Sequence, residues 1–234
     1  MTSGPTYRYS YTWSPAQPTR GALSTSRQEI LQISVAFLVL TFDFVLILYV
    51  GGIFSGQGLA SLTSVPLWLV VVALTTALTA FVAHELAHKI SAQRHGYWAE
   101  FRWSPMGLVF SVVTAYLGFL FAAPGATVVG GMGDPRDWAR TSLAGPMTNA
   151  GFSAIFYAGS LAAVSVGNAF APWLLFLAWI NGWFGAFNLI PFGPLDGAKI
   201  LRVSVPMWAA AMAVTVALAA LGVLGLYGYW LPPV

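Results

Sequence analysis

The stretch Phe81-Val-Ala-His-Glu-Leu-Ala-His88 sets two histidines four positions apart with a glutamate beside the first. On a helix, residues four apart share a face, so His84 and His88 can point at one ion. Imidazole suits zinc, and a third protein ligand would leave a coordination position for water. Glu85, next to the first histidine, is placed to act as general base toward that water. The chemistry such a set supports is metal-assisted hydrolysis of a peptide bond. H-E-x-x-H is short and arises by chance, so its setting matters. A carboxylate inside a membrane helix costs roughly 2.5–3.5 kcal/mol on insertion scales. Here two of the chain's three histidines flank that carboxylate at ligand spacing.

A third ligand has few acidic candidates, because the chain holds only seven Asp and Glu residues. Asp134 and Asp137 share a polar loop with Arg136 and Arg140, where solvation explains them. Glu29 and Glu100 sit in charged flanks, and Asp43, inside the first apolar run, reads as a polar contact to another helix or a cavity lining. Asp196 remains, in Asn188-Leu-Ile-Pro-Phe-Gly-Pro-Leu-Asp-Gly197. Pro191 and Pro194 cannot continue a helix, so the chain must unwind there. Unwound backbone at membrane depth is tolerated only where protein or a water-filled cavity surrounds it. Such a break can swing Asp196 toward a metal; the plainer reading is that Asp196 caps the helix that follows.

The elements that must position these residues are long apolar helices. Of the 234 residues, 58% are hydrophobic and 7% charged, against roughly 25% charged in a soluble domain. The class is therefore an all-α polytopic membrane protein of about five to six transmembrane helices. Five runs are long enough to cross about 30 Å of hydrocarbon: approximately 30–53, 65–90, 139–166, 171–190 and 205–230. A sixth run, 107–130, is broken by prolines and glycines and rich in Val, Phe and Thr. It reads as strands or a re-entrant hairpin after the second helix. Residues 1–29 form a polar tail without the apolar core of a cleavable signal peptide, and residues 30–234 a single membrane-embedded domain with its catalytic core at about 65–204.

All ten Lys and Arg residues fall in short segments between apolar runs, a pattern of membrane orientation rather than nucleic-acid binding. With five crossings and a hairpin at 107–130, every basic residue lies on one side, the cytoplasmic one. The N-terminus, His84, His88 and Asp196 then share that side. There is no Cys, which excludes disulfides and thiolate metal sites.

H-E-x-x-H in one membrane helix, followed far downstream by N-x-x-P-x-x-x-L-D-G, resembles the site-2 protease family of intramembrane metalloproteases. Asn188, Pro191, Leu195, Asp196 and Gly197 occupy every fixed position of the second motif. Ala144-Gly-Pro-Met-Thr-Asn149 resembles the family's G-P-x-x-N element. The resemblance implies a Zn2+ ion held by His84, His88 and Asp196, Glu85 as catalytic carboxylate, and Asn188 beside the metal, steadying substrate or oxyanion. Asn149 reads either as a substrate contact or as a polar residue of helix packing. The sequence departs from some members in having one apolar span after Asp196 and no PDZ or CBS domain.

The expected function is hydrolysis of a peptide bond within or near a transmembrane segment of a membrane protein, as in regulated intramembrane proteolysis. The expected partners are that protein and the lipid bilayer, in a multi-pass cell-membrane setting. Two other classes compete: a membrane metal transporter, since intramembrane His and Asp also mark ion pathways, and a catalytically inactive protein that binds membrane helices.

Overall fold

A computed structural model describes residues 23–51, 58–131 and 133–230. Helix α1 spans Arg27–Val45 and continues as a π-helical turn to Val50. Helix α2, Leu67–Thr76, passes through a second π-helical stretch, Ala77–Val82, into α3, Ala83–Arg94. Strand β1 is Trp98–Trp103, α4 Pro105–Tyr116 and β2 Gly125–Gly130. Then come α5, Pro135–Ser165, α6, Ala171–Asn188, α7, Asp196–Leu201, and α8, Val205–Trp230. Among the described residues, three helical runs are long and apolar enough to cross a membrane: Arg27–Val50, Leu67–Arg94 and Val205–Gly228. Helices α5 and α6 carry more polar groups because they line the interior, with Asn149, Ser153, Ser160 and Asn181 all fully buried.

The 107–130 run is helical to Tyr116 and a strand from Gly125 to Gly130, where strands or a re-entrant hairpin were expected. Ser104 caps α4 by accepting from Gly107 N–H, and Pro105 takes the first turn, where a missing N–H costs nothing. Twelve residues span about 18 Å, too short for the hydrocarbon layer. Strands β1 and β2 pair antiparallel with Trp103 opposite Gly125, so the chain that leaves at 103 returns beside itself at 125. The excursion therefore leaves and returns on the same side of the sheet's end. Asp43 meets it from α1: Ser111 Oγ of α4 donates to Asp43 Oδ2 at 2.7 Å.

The long helices alternate in direction. Lys89, near the end of α3, reaches Glu29 at the start of α1, and His88 reaches Thr141 at the start of α5. Trp208, early in α8, donates to Leu189 O just past α6 at 2.7 Å. In lipid, apolar contact between helices brings packing rather than a hydrophobic gain, and buried polar bonds add on average roughly 0.6 kcal/mol each. Ser153 Oγ to Ala178 O at 2.7 Å and Asn181 Nδ2 to Thr79 Oγ1 at 3.0 Å are such bonds. An apolar cluster of Ala36, Leu40, Phe44, Leu69, Phe81 and Phe101 joins α1, the α2–α3 run and β1.

Residues 1–22 lie outside the described residues, but the chain is already packed at Ser24, which accepts from Gln93 Nε2 through its backbone oxygen at 2.9 Å. Glu29, expected in a charged flank, is 1% exposed. It pairs with Lys89 Nζ at 2.5 Å and accepts from Phe101 N–H at 3.0 Å.

Candidate active site

His84 and His88 leave one face of α3, and each is fixed at Nδ1. His88 Nδ1 lies 2.7 Å from Thr141 O; a carbonyl only accepts, so this nitrogen carries the proton. His84 Nδ1 lies 2.6 Å from Asn149 Oδ1. The Asn149 orientation is set by its Nδ2, which donates to Ala80 O at 3.1 Å, Thr79 O at 3.3 Å and Asn181 Oδ1 at 3.3 Å. Thr79 and Ala80 belong to the π-helical stretch. The His84 ring is therefore also protonated at Nδ1, and both Nε2 lone pairs point inward, as outer contacts commonly arrange for metal-binding imidazoles.

Those lone pairs converge with a carboxylate. The two Nε2 atoms are 3.0 Å apart, and Asp196 Oδ2 lies 2.9 Å from His88 Nε2 and 3.4 Å from His84 Nε2. Zinc bonds of about 2.0–2.1 Å in a tetrahedron place ligand atoms about 3.3 Å apart, close to these separations. Three acceptor atoms so near one another repel unless a cation or proton joins them. All three residues are buried, and they are the one His/Asp/Glu group at ligating distance among the described residues. Asp196 uses its other oxygen, Oδ1, to accept from Lys199 Nζ at 3.0 Å.

Two glycines make room for the cluster. A Cβ at Gly145 would fall 2.6 Å from His84 Nε2 and closer still to His88 Nε2, inside the space an ion needs. A Cβ at Gly197 would collide with Leu189 O and sit 2.8 Å from Leu189 Cα. Gly197 thus lets the start of α7 tuck against the end of α6, which carries the neighbouring Asp196 inward.

A cleft of about 450 Å³ opens on the cluster, lined by Glu85, Thr127, Asn188 and Lys199 along with the three ligand candidates. Glu85 is half-buried. Its Oε2 accepts from Thr127 N–H at 2.7 Å and Thr127 Oγ1 at 2.8 Å. Asn188 donates from Nδ2 to Phe184 O in its own helix at 3.0 Å, and no bond joins it to the cluster among the described residues. Asn149 is fully buried behind His84 and its polar atoms are spent there. It is not among the residues that line the cleft.

Other residues sit outside this set. Asp134 caps α5, accepting from Arg136 N–H at 2.8 Å. Asp137 accepts from Tyr97 Oη at 2.9 Å and faces His95 and Arg140, each at 3.7 Å. That bond to a neighbouring carboxylate holds the Tyr97 hydroxyl above its ordinary pKa. Thr141, Gly145, Thr127, Asn181 and Lys199 were not singled out from the sequence as site residues. Only Gly145 carried a signal, as part of the G-P-x-x-N element.

Comparison with known proteins agrees with the motifs. The model of peptidase family M50, the site-2 protease family, matches residues 162–224, which hold α6, α7 and most of α8, with Asp196 but not H-E-x-x-H. A protein of Methanocaldococcus jannaschii described as "Putative zinc metalloprotease" is 27% identical over 187 residues, covering 79% of this chain and 88% of that one. A Mycobacterium tuberculosis protein of the same description is 34% identical over 130 residues, 53% of this chain. The chain spans only 28% of the latter's length. No solved structure matches the chain.

Proposed function

From its likeness to peptidase family M50, we propose that this membrane protein is a zinc endopeptidase that cuts a transmembrane segment of another membrane protein. The observation that carries the reading is the convergence of His84 Nε2, His88 Nε2 and Asp196 Oδ2 within 3.4 Å of one another, with Glu85 facing the same cleft. His84, His88 and Asp196 would hold the zinc. When bound, zinc supplies Lewis acidity, polarising a carbonyl oxygen and lowering the pKa of water to about 7.

The chain's own residues do the rest. Glu85 keeps Oε2 on Thr127 and leaves Oε1 without a protein donor among the described residues. Oε1 is the atom that takes the proton from the attacking water and returns it to the leaving amine nitrogen. Asn188, in the cleft wall, would steady the bound backbone through its Oδ1, which has no partner among the described residues. A substrate helix has its amides already bonded, so it must unwind before its carbonyl enters the cleft, which favours helix-breaking residues near the cut.

The described basic residues gather at the end of the bundle that holds the sheet and the cluster, through Lys89, Arg94, Arg102, Arg136, Arg140 and Lys199. That distribution supports a multi-pass arrangement with this end toward the cytoplasm. A transporter would need further ligands along a path, and the described residues hold one such group. The test is metal content and cleavage of a generic transmembrane peptide by purified protein. Wild type should bind one zinc and cut; Glu85→Gln should keep the zinc and lose on the order of 10³-fold in rate. Undiminished cutting by Glu85→Gln would refute the assignment.

A further inference from the structure

The small sheet is held at both edges by carboxylates at a single rung. Phe101 of β1 and Thr127 of β2 face each other in the antiparallel register. In such a ladder alternate residues turn their N–H groups outward, and both outward N–H groups of this pair end on a carboxylate. Phe101 N–H donates to Glu29 Oε1 at 3.0 Å, and Thr127 N–H donates to Glu85 Oε2 at 2.7 Å. Glu29 is in turn bound by Lys89, four residues after Glu85 on α3. Helix α3 therefore grips the sheet from both sides, directly through Glu85 and through Glu29 by way of Lys89. The β1 edge is further closed from the α1 side, where Gln32 Oε1 accepts from Trp103 N–H at 3.3 Å.

Thr127 adds its side chain to the same carboxylate. Its Oγ1 lies 2.8 Å from Glu85 Oε2 and 3.0 Å from the Glu85 backbone oxygen. One residue thus meets both the side chain and the main chain of Glu85, while Glu85 Oε1 stays unbonded among the described residues. A glutamate has three rotatable side-chain bonds, and at this half-buried position no other bond among the described residues restrains them. A catalytic group misplaced by about 1 Å can lose roughly 10²-fold in rate.

We propose that Thr127 is the positioning residue for Glu85: the β2 strand, through the Thr127 N–H and hydroxyl, aims the Glu85 carboxylate into the cleft. The role rests on the endopeptidase reading given above. It makes the sheet a part of the reaction geometry, with register as its setting. A slip of β2 by one residue would turn the Thr127 side chain to the other face and remove the brace.

Two measurements on the purified full-length protein test it. The first compares wild type, Thr127→Val and Thr127→Ser on a transmembrane peptide. Valine keeps the shape and removes the hydroxyl. Its kcat should fall at least about tenfold with KM unchanged within about twofold, the mark of an interaction that serves the transition state. Serine should recover most of the loss, and zinc content and the unfolding midpoint should be the same in all three. A Thr127→Val protein with wild-type kcat, or a loss that serine does not relieve, overturns the proposal. The second reads hydrogen exchange of the Thr127 amide in wild type and Glu85→Ala, with no turnover involved. The amide should exchange at least about tenfold faster without the Glu85 carboxylate; equal rates overturn the contact itself. A wild type that cuts no substrate removes the endopeptidase reading and this role with it, whereas an active wild type with a fully active Thr127→Val removes this role alone.

Discussion

Two buried aspartates show what separates a site from a packing contact. Asp43 sits within α1 and is wholly buried; Ser111 donates to its Oδ2, and its Oδ1 has no partner among the described residues. Asp196 begins α7 and is 5% exposed; its Oδ2 faces two imidazoles and its Oδ1 accepts from Lys199. Both would look equally costly to a reader of hydropathy. The difference lies in the neighbours. Around Asp43 one hydroxyl fastens α1 to the re-entrant α4. Around Asp196 three lone pairs meet beside a cleft, with Gly145 leaving the space an ion would fill. Burial of a carboxylate is thus no sign of chemistry by itself; a converging donor set is.

The comparison breaks most sharply at Asp196. Asp196→Ala should abolish cleavage and weaken zinc binding by more than about 100-fold, beyond what loss of an outer contact costs, as read by metal analysis after dialysis against a chelator. Retained zinc and activity would put Asp196 in the class of Asp43. Glu29 extends the comparison to a buried carboxylate with a full cationic partner. Lys89→Met removes the cation from buried Glu29, and should cost about 3–5 kcal/mol of stability in a detergent unfolding titration. Asn149→Ala frees the His84 ring while leaving all three ligands in place, so zinc affinity should drop about 10–100-fold with the protein still folded. The smallest effect belongs to Asp43→Asn. It keeps the acceptor for Ser111 and should shift stability by no more than about 0.5–1 kcal/mol, with zinc content and turnover unchanged. Loss of zinc in that variant would mean that α1 contributes to the site.

Much of the site was legible from residue type and spacing. Helical periodicity alone puts His84 and His88 on one face, and elimination among seven acidic residues leads to Asp196. The proline-broken stretch after Asn188 announces a chain break at the depth of the histidines. Apolar composition and run length likewise announce helices at all five expected places, and the pairing of Trp103 with Gly125 agrees with the re-entrant reading of 107–130. Patterning did not reveal that the first half of that excursion is helical. Val, Phe and Thr favour strands in isolation, but Ser104 and Pro105 start a helix, and tertiary surroundings override weak propensities.

What the sequence by itself determined is the chemistry available: which side chains can bind a metal, which carboxylate stands beside them, and that long apolar helices must carry them. Tertiary structure alone decided which partners hold those groups. Thr141 O and Asn149 set the ring protons of His88 and His84, Thr127 braces Glu85, and Glu29 leaves the supposed flank to meet Lys89. The physical reason is range. Periodicity speaks for residues within a few turns of one helix, whereas a hydrogen bond between residues 42 to 65 positions apart depends on how whole helices and a strand pair pack.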